Sequence, residues 1–359
     1  MNHYEQCGLP KPNIVEWYPT KPTNDTIYKD FAKYLKPLDF KADHECLKHA
    51  ERVFRQHLRR YGKNPCWTYD EAKNDIDQTK ASGFPWRLKY PTKRQVYENE
   101  RCDNLVRDYI HLIEQGYKPT VIWEILGKEE LRPVLKIILE KVRSMNGGPL
   151  VHNHVNTMIW GPLLRKKASL PFYITHTTVG WSPQYGGWHD LVTYFRQCVA
   201  DGDFEKWDSR VAYELAALVL QCQWDECIDD EYKTPERENM RRWALLEEFC
   251  STCLLPDGQL LQVIDGIKSG SKLTLPVNTD INEFALLYCI FRYLQESDRG
   301  RSYLHEKGWS VDTLSFEQIE EIIDFIFHGD DNLVGFNEIF GFAHEHHSKF
   351  VQELGMKMD

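Results

Sequence analysis

Apolar positions along this chain switch between two periods, and the switches mark its elements. From Asp43 to Tyr61 apolar residues recur at helical spacing, and they do so again over a long run that is entered from the Gly266 to Asn278 stretch and ends at about Tyr293. Three shorter runs have strand length and β-branched or aromatic content: Phe195 to Ala200, Ile322 to Phe327, and Leu333 to Phe336. Further helices are expected from Ser209 to about Ile228 and from about Phe340 onward. Proline-rich irregular stretches open a mixed region that ends near Pro119, and Thr175 to Trp188 is rich in turn residues. From Leu191 the order is strand, helix, glycine-punctuated loop, long helix, hairpin and helix. That alternation indicates an α+β layer, with helices packed on one side of an antiparallel sheet.

The last two apolar runs flank His328-Gly329-Asp330-Asp331-Asn332, which reads as a hairpin with two adjacent carboxylates at its tip. Two such acids repel unless a cation neutralises them. Oxygen ligands on a tight turn suit Mg²⁺, which takes one or two carboxylates plus substrate phosphates. Asp and Gly also make ordinary turns, so the pair needs partners before it carries chemistry.

Partners stand at Asp201-Gly202-Asp203-Phe204-Glu205-Lys206-Trp207-Asp208. A strand ending at Asp203 aims that carboxylate at the hairpin tip, with Asp208 a helical turn away. Helix capping by Asp208 and Ser209 would account for Asp208, but it leaves Asp203 unexplained. The third element is the loop Gly266 to Asn278, in which Gly266 and Gly270 permit close backbone approach. Thr274 and Asn278, four apart, share a helix face.

Together these elements resemble motifs A (Asp203, Asp208), B (Ser269, Gly270, Thr274, Asn278) and C (Gly329, Asp330, Asp331) of viral RNA-dependent RNA polymerases. Four further stretches agree, in order. Lys128 to Pro133 with Lys136, Lys141 and Arg143 is similar to motif F, and Ala81-Ser82-Gly83-Phe84-Pro85 to motif G. Val179-Gly180 with Tyr185 to Trp188, and the Asp201-Gly202-Asp203 lead-in, are similar to potyvirus-like and astrovirus-like polymerases, within the picornavirus-like supergroup of positive-strand RNA viruses. Phe350 to Met356 resembles the start of motif D.

The resemblance implies a right-hand polymerase fold with fingers and palm. Residues 1–192 would be the N-terminal region and fingers (motif G at 81–85, motif F at 128–149). Residues 193–359 would be the palm, interrupted by a fingers segment at about 230–262, with motif A at 203–208, B at 266–278, C at 328–332 and the start of D at 350–359. The lysine expected later in motif D, motif E and the thumb are not found before Asp359, and Lys357 falls too early to replace that lysine. The implied activity is RNA-directed synthesis of viral RNA, moving NMP from NTP to an RNA 3′-hydroxyl. Asp203, Asp330 and Asp331 would hold two Mg²⁺ ions, with Mn²⁺ as the alternative. Arg143 and Lys141 would grip the triphosphate, with Lys136 and Lys128 in the same channel. Asp208, Ser269, Thr274 and Asn278 form a polar set able to bond a ribose 2′-hydroxyl, which a reverse transcriptase or DNA polymerase would block instead. Ser82, Gly83, Phe84 and Pro85 would lie at the RNA template entrance. Implied partners are RNA template and primer, NTPs, a viral protein primer and other replicase proteins, in host cytoplasm at membrane-associated replication complexes. Two alternatives remain: a catalytically incompetent RNA- or nucleotide-binding fragment, and a two-metal nuclease, for which the ribose set and basic finger have no use.

Charge and composition sharpen this picture in a few places. A net charge of −10 looks wrong for a nucleic-acid binder, but distribution matters more than the total. Lys128 to Lys167 holds eight Lys/Arg against three Asp/Glu, with no acid after Glu140. A second basic group (Arg52, Arg55, Arg59, Arg60 and Lys63) is either a solvated helix face or an RNA contact. Cys250 and Cys253 lack a second matching pair for zinc and read as a pair within one element. The histidines of His344-Glu345-His346-His347 miss metalloprotease spacing and read as a polar helix face. No apolar run is long enough to span a bilayer, and Met1 to Pro19 carries no signal pattern.

Overall fold

The long apolar segment forms the central rod of the molecule. In this computed structural model, which describes residues 17–358, it is a helix over Thr274–Glu296 whose residues from Val277 to Phe291 are all buried. Residues 1–16 of the expected irregular start, and Asp359, lie outside the described residues. A helix apolar on every side must be enclosed by other elements, and this one is. Around it and the sheets, the helices that bear on the site are α1 (Asn24–Phe31), α2 (His44–Leu58), α3 (Val134–Ile138), α4 (Leu150–Ser169), α5 (Tyr213–Cys227), α6 (Pro235–Phe249), α7 (Thr274–Glu296), α8 (Phe316–Ile322) and α9 (His344–Phe350). Two buried pairs hold α7 in rotation. Lys167 Nζ of α4 lies 2.6 Å from Asp280 Oδ2, and His57 Nδ1 of α2 lies 2.6 Å from Glu283 Oε1.

Strands β5 (Cys198–Gly202), β8 (Asp324–His328) and β9 (Asp331–Phe336) make an antiparallel sheet in the order β5-β9-β8. A second sheet, β4-β2-β6-β7, joins β2 (Ile122–Gly127) and β4 (Ser144–Gly147) to β6 (Cys250–Leu254) and β7 (Leu260–Ile264), with β2 and β6 parallel. The segment expected as an insertion thus pairs with strands more than a hundred residues upstream. Cys250 and Cys253 lie on one strand, β6. A small sheet pairs β1 (Trp17–Pro19) with β3 (Leu131–Pro133). Against the second sheet, α1 buries Ile27 and Phe31 beside Tyr34, Trp123 and Val263.

Four expectations change. The helix expected from Ser209 begins at Tyr213, because Asp208 Oδ1 accepts from Ser209 N–H and Ser209 Oγ donates to Lys206 O, closing a separate 3₁₀ turn. Ile322 ends α8 instead of opening β8, since Ser315 and Gln318 form a capping box that starts a helix there. The final helix starts at His344, and its histidines are not one polar face. His347 is buried beside Phe204 and Phe342, and burial pushes its pKa down to about 3, so it stays neutral. The basic group on and just after α2 is engaged with protein. Arg52 donates to Leu314 O and Val311 O, Arg55 and Arg59 pair with Glu226, and Arg60 pairs with Glu320. None of the described helices is long and apolar enough to cross a membrane.

Candidate active site

The acidic hairpin forms as its sequence pattern requires. His328 pairs with Asp331 across a two-residue Gly329-Asp330 turn, with Gly329 at φ +67°, a backbone conformation that side-chain-bearing residues seldom adopt. Its base is fixed by Asp324, buried at the start of β8, which accepts from Arg196 N–H at 2.7 Å and from Arg196 Nε at 2.8 Å. On the other side of β9, β5 runs antiparallel with Gly202 opposite Asn332, so Asp203 leaves the strand beside the turn. Gly202 packs closely there: a Cβ would sit 2.5 Å from Met358 Sδ and 2.9 Å from Asn332 Oδ1, so those side chains would have to shift. Phe204 and Trp207, both buried and in edge contact at 4.5 Å, anchor the chain between Asp203 and Asp208.

Helix α7 holds the turn from below. Fully buried Asn282 donates from Nδ2 to the carbonyls of Gly329 (3.2 Å), Asp330 (3.0 Å) and Asp331 (3.4 Å). Thr279 Oγ1 accepts from Gly329 N–H at 2.9 Å. The turn's backbone is therefore satisfied by side chains, and its carboxylates point outward, exposed. Packing around the turn, then the charges of Asp331, Asp208 and Asp203, push the Asp330 carboxyl above the ordinary range. Among the described residues no cationic side chain pairs with Asp203, Asp330 or Asp331, and no three or more acids, histidines or cysteines are gathered closely enough to hold a metal ion by themselves. The donor set is oxygen-only, strand-borne and short of positive charge, which suits a hard divalent cation sharing its coordination with phosphate.

The glycine loop and basic finger meet beside these acids. A Cβ on Gly270 would lie 2.0 Å from Asn146 O of β4, so only glycine allows this approach. Ser269 Oγ accepts from Asn146 N–H at 3.0 Å, which leaves its own proton free to donate. Asn278 is buried with its Oδ1 unpartnered. Thr274, placed by its spacing on the same face, donates to Lys268 O (2.7 Å) and Ser271 O (3.0 Å), so its hydroxyl closes the loop.

Glu130 gathers the finger's cations. Arg143 donates to it at 2.8 and 2.5 Å, with Lys128 at 3.3 Å and Arg132 at 2.9 Å, and Arg143's bonds lead in holding its pKa down to about 2. Arg143 also feels the charges of Asp30 and Asp208. Lys136 and Lys141 line a cleft of 580 Å³ between α3 and the Tyr18–Thr26 stretch. At 81–85, Ser82 is fully buried and donates to Tyr90 O at 2.5 Å, so its hydroxyl faces inward. Gly83, at φ +77°, lies so close to Gly148 O that a Cβ would sit at 2.6 Å, while Phe84 is half-buried and Pro85 exposed.

Four residues outside the sequence pattern belong to the site: Thr279, Asn282, Lys33 and Tyr34. Asn282 continues the Thr274–Asn278 spacing by one more turn, so periodicity could have found it. Nothing local marks Tyr34, whose hydroxyl donates to Asp208 Oδ2 at 2.8 Å across 174 positions of chain.

Comparison with known proteins bears on the family and the fold. A family model described as viral RNA-dependent RNA polymerase matches residues 9–359. The genome polyprotein of Zucchini yellow mosaic virus (strain Reunion Island) is 24% identical over 99% of this chain. The non-structural polyprotein 1AB of Turkey astrovirus 1 is 23% identical over 86% of it. The chain spans 11% and 18% of those polyproteins' lengths. Among solved structures, the Sicinivirus 3Dpol RNA dependent RNA polymerase matches with a TM-score of 0.73 at 18% identity, over 96% of this chain and 70% of that one, a likeness in fold. The α+β right-hand polymerase fold is therefore that of this chain, which belongs to the viral RNA-dependent RNA polymerase family.

Proposed function

We propose that this chain is the fingers-and-palm part of an RNA-directed RNA polymerase that replicates a viral RNA genome, with residues 1–192 and 193–359 in the parts expected of them. The observation that carries the reading is the convergence of Asp203 with Asp330 and Asp331, without a counter-cation among the described residues, beside a glycine loop and a basic finger. Asp203, Asp330 and Asp331 are the residues that would hold Mg²⁺ or Mn²⁺. Bound there, a divalent pair supplies charge neutralisation at the attacking 3′-hydroxyl and the leaving pyrophosphate. Asn282 and Thr279 keep the turn at one height relative to α7. Arg143, balanced on Glu130, offers its planar fork to the triphosphate, with Lys128 beside it. Ser269 and Asn278 present a free donor and an unpartnered acceptor to the ribose, and Asp208 a carboxylate. Base identity comes from the template, so contacts to RNA, including those near Phe84 and Pro85, read backbone and shape. A protein-linked primer, replicase partners and a cytoplasmic, partner-mediated membrane location follow from the likeness to potyvirus and astrovirus polyproteins.

Primer extension on an RNA template with NTPs or dNTPs tests this. It compares the chain, Asp330→Ala, and a C-terminally extended form, in Mg²⁺ and in Mn²⁺. Extension by NTPs that is lost in Asp330→Ala supports the proposal. No extension by either length in either metal refutes it and favours a binding-only fragment, while equal use of dNTPs refutes the ribose set.

A further inference from the structure

We infer that Tyr34, with Lys33 beside it, is the positioning residue that fixes Asp208 to receive the ribose 2′-hydroxyl of an incoming ribonucleotide. This rests on the polymerase reading above and extends it to a part of the chain whose sequence points to no chemistry. Tyr34 lies in the 3₁₀ turn Ala32–Leu35, its ring buried among Phe31, Trp123 and Val263. Only its hydroxyl reaches the site. It donates to Asp208 Oδ2 at 2.8 Å and accepts from Asn146 Nδ2 at 3.3 Å. Burial, then the charge of Asp208, push the phenol's ionisation well above its ordinary value, so it remains a donor across the physiological range.

Counting acceptor directions shows what this does. A carboxylate has about four lone-pair sites. On Asp208, Oδ2 takes the Tyr34 hydroxyl and Lys33 Nζ at 2.9 Å, and Oδ1 takes Ser209 N–H at 3.0 Å. Three sites are filled by protein, and one remains on Oδ1 of a side chain still 31% exposed. A carboxylate with that much exposure is solvated without help. Two strong donors on a single oxygen exceed what solvation requires, and they fix its rotamer. A single open acceptor of fixed direction suits a single hydroxyl, and it is left unpaired by a 2′-deoxy sugar.

The same tyrosine is linked to the glycine loop and, through Asn146, to Ser269. A Cβ on Gly266 would lie 2.9 Å from its ring, and Ile267 N–H donates to Asp208 O at 2.7 Å, so the loop leading to Ser269 wraps this pair. Asn146, which donates to Tyr34, also gives its backbone N–H to Ser269 Oγ. One buried hydroxyl thus links Asp208, strand β4 and the glycine loop.

The test is equilibrium titration of the whole chain, with Mg²⁺ and a template–primer RNA presenting uracil, by ATP and by 2′-deoxy-ATP. Wild type, Tyr34→Phe, Lys33→Met, Asp208→Ala and the Tyr34→Phe/Asp208→Ala double variant are compared, with thermal unfolding measured alongside. Tyr34→Phe is expected to lower the ATP-to-dATP affinity ratio about tenfold, the worth of one charge-assisted hydrogen bond, by weakening ATP alone. Lys33→Met, which leaves the buried ring untouched, is expected to shift the ratio in the same direction. In the Asp208→Ala background, Tyr34→Phe should change the ratio no further, since its effect passes through that carboxylate. An unchanged ratio in folded Tyr34→Phe, or a further change without Asp208, overturns the inference and leaves the polymerase reading standing. A wild type that binds both nucleotides equally, or neither, refutes that reading first, before any variant is compared.

Discussion

Replacing Asn282 with alanine isolates the link between α7 and the acidic turn. The amide has two N–H groups shared among three carbonyls, those of Gly329, Asp330 and Asp331, at 3.0 to 3.4 Å. Two net hydrogen bonds at about 1 kcal/mol each, with little water able to reach a fully buried position, set the loss at about 2 kcal/mol in unfolding free energy. Thr279 still holds Gly329 N–H, so the turn should loosen and not unfold. Primer extension should fall, and its half-maximal Mg²⁺ concentration should rise, because Asp330 and Asp331 no longer stand at fixed height beside Asp203. Urea unfolding gives the first quantity, and a Mg²⁺ titration of extension the second. Asn282→Asp is the sharper control. It keeps the size but sets a carboxylate against three carbonyl oxygens, so it must be worse than alanine on both measures. Equal behaviour of the two variants, or an alanine variant with unchanged urea midpoint and Mg²⁺ requirement, would show that these contacts do not hold the turn.

Two further outcomes follow from the charges. Asp330→Asn should abolish extension yet raise the melting temperature at pH 7. The folded carboxyl is pushed up by desolvation and by Asp331, Asp208 and Asp203, so its ionised form disfavours folding, and the gain should vanish at acid pH below the ordinary carboxylate value. Glu130→Gln should cost about 1–2 kcal/mol at pH 7 by removing the acceptor of Arg143 and its neighbours. The wild-type pKa is held down to about 2, so this stabilisation is present above the ordinary glutamate value. It is lost as pH falls toward 2, where variant and wild type should unfold alike.

What could be read in the chain alone was what local chemistry decides. A Gly-Asp turn between apolar runs makes a hairpin wherever it sits. An acid ending a strand next to it in the sheet, and a glycine loop opening a long apolar helix, are likewise properties of short segments. Misreadings came where a side chain's use depends on distant partners. His347 was taken as polar surface, and only packing against Phe204, some 140 positions earlier, shows it buried. Arg59 and Arg60, just past α2, meet acids on α5 and α8, which no local pattern reveals. Thr274 was paired with Asn278 by spacing, but as the first residue of α7 it is where a loop carbonyl needs a donor.

The placement of Asn278 and Asn282 on one rod argues that ribose recognition and the acidic turn are not independent. They sit one turn apart on α7, the first with an unpartnered acceptor near the glycine loop, the second bonded to the turn. Just beyond Asn278, Asp280 is paired with Lys167, and just beyond Asn282, Glu283 is paired with His57. Breaking the buried Lys167–Asp280 pair on one side costs about 3–5 kcal/mol. The His57–Glu283 contact, with burial pushing His57 down to about 3 and Glu283 up to about 8, adds a buried neutral hydrogen bond, so α7 cannot rotate cheaply to serve one end without the other. A ribose that seats badly against Asn278 would have to be accommodated by the sugar and not by the helix. A misplacement near 1 Å at the reacting atoms is enough to slow chemistry by about a hundredfold. Selection by the ribose set is therefore expected to appear in the rate of bond formation as well as in affinity.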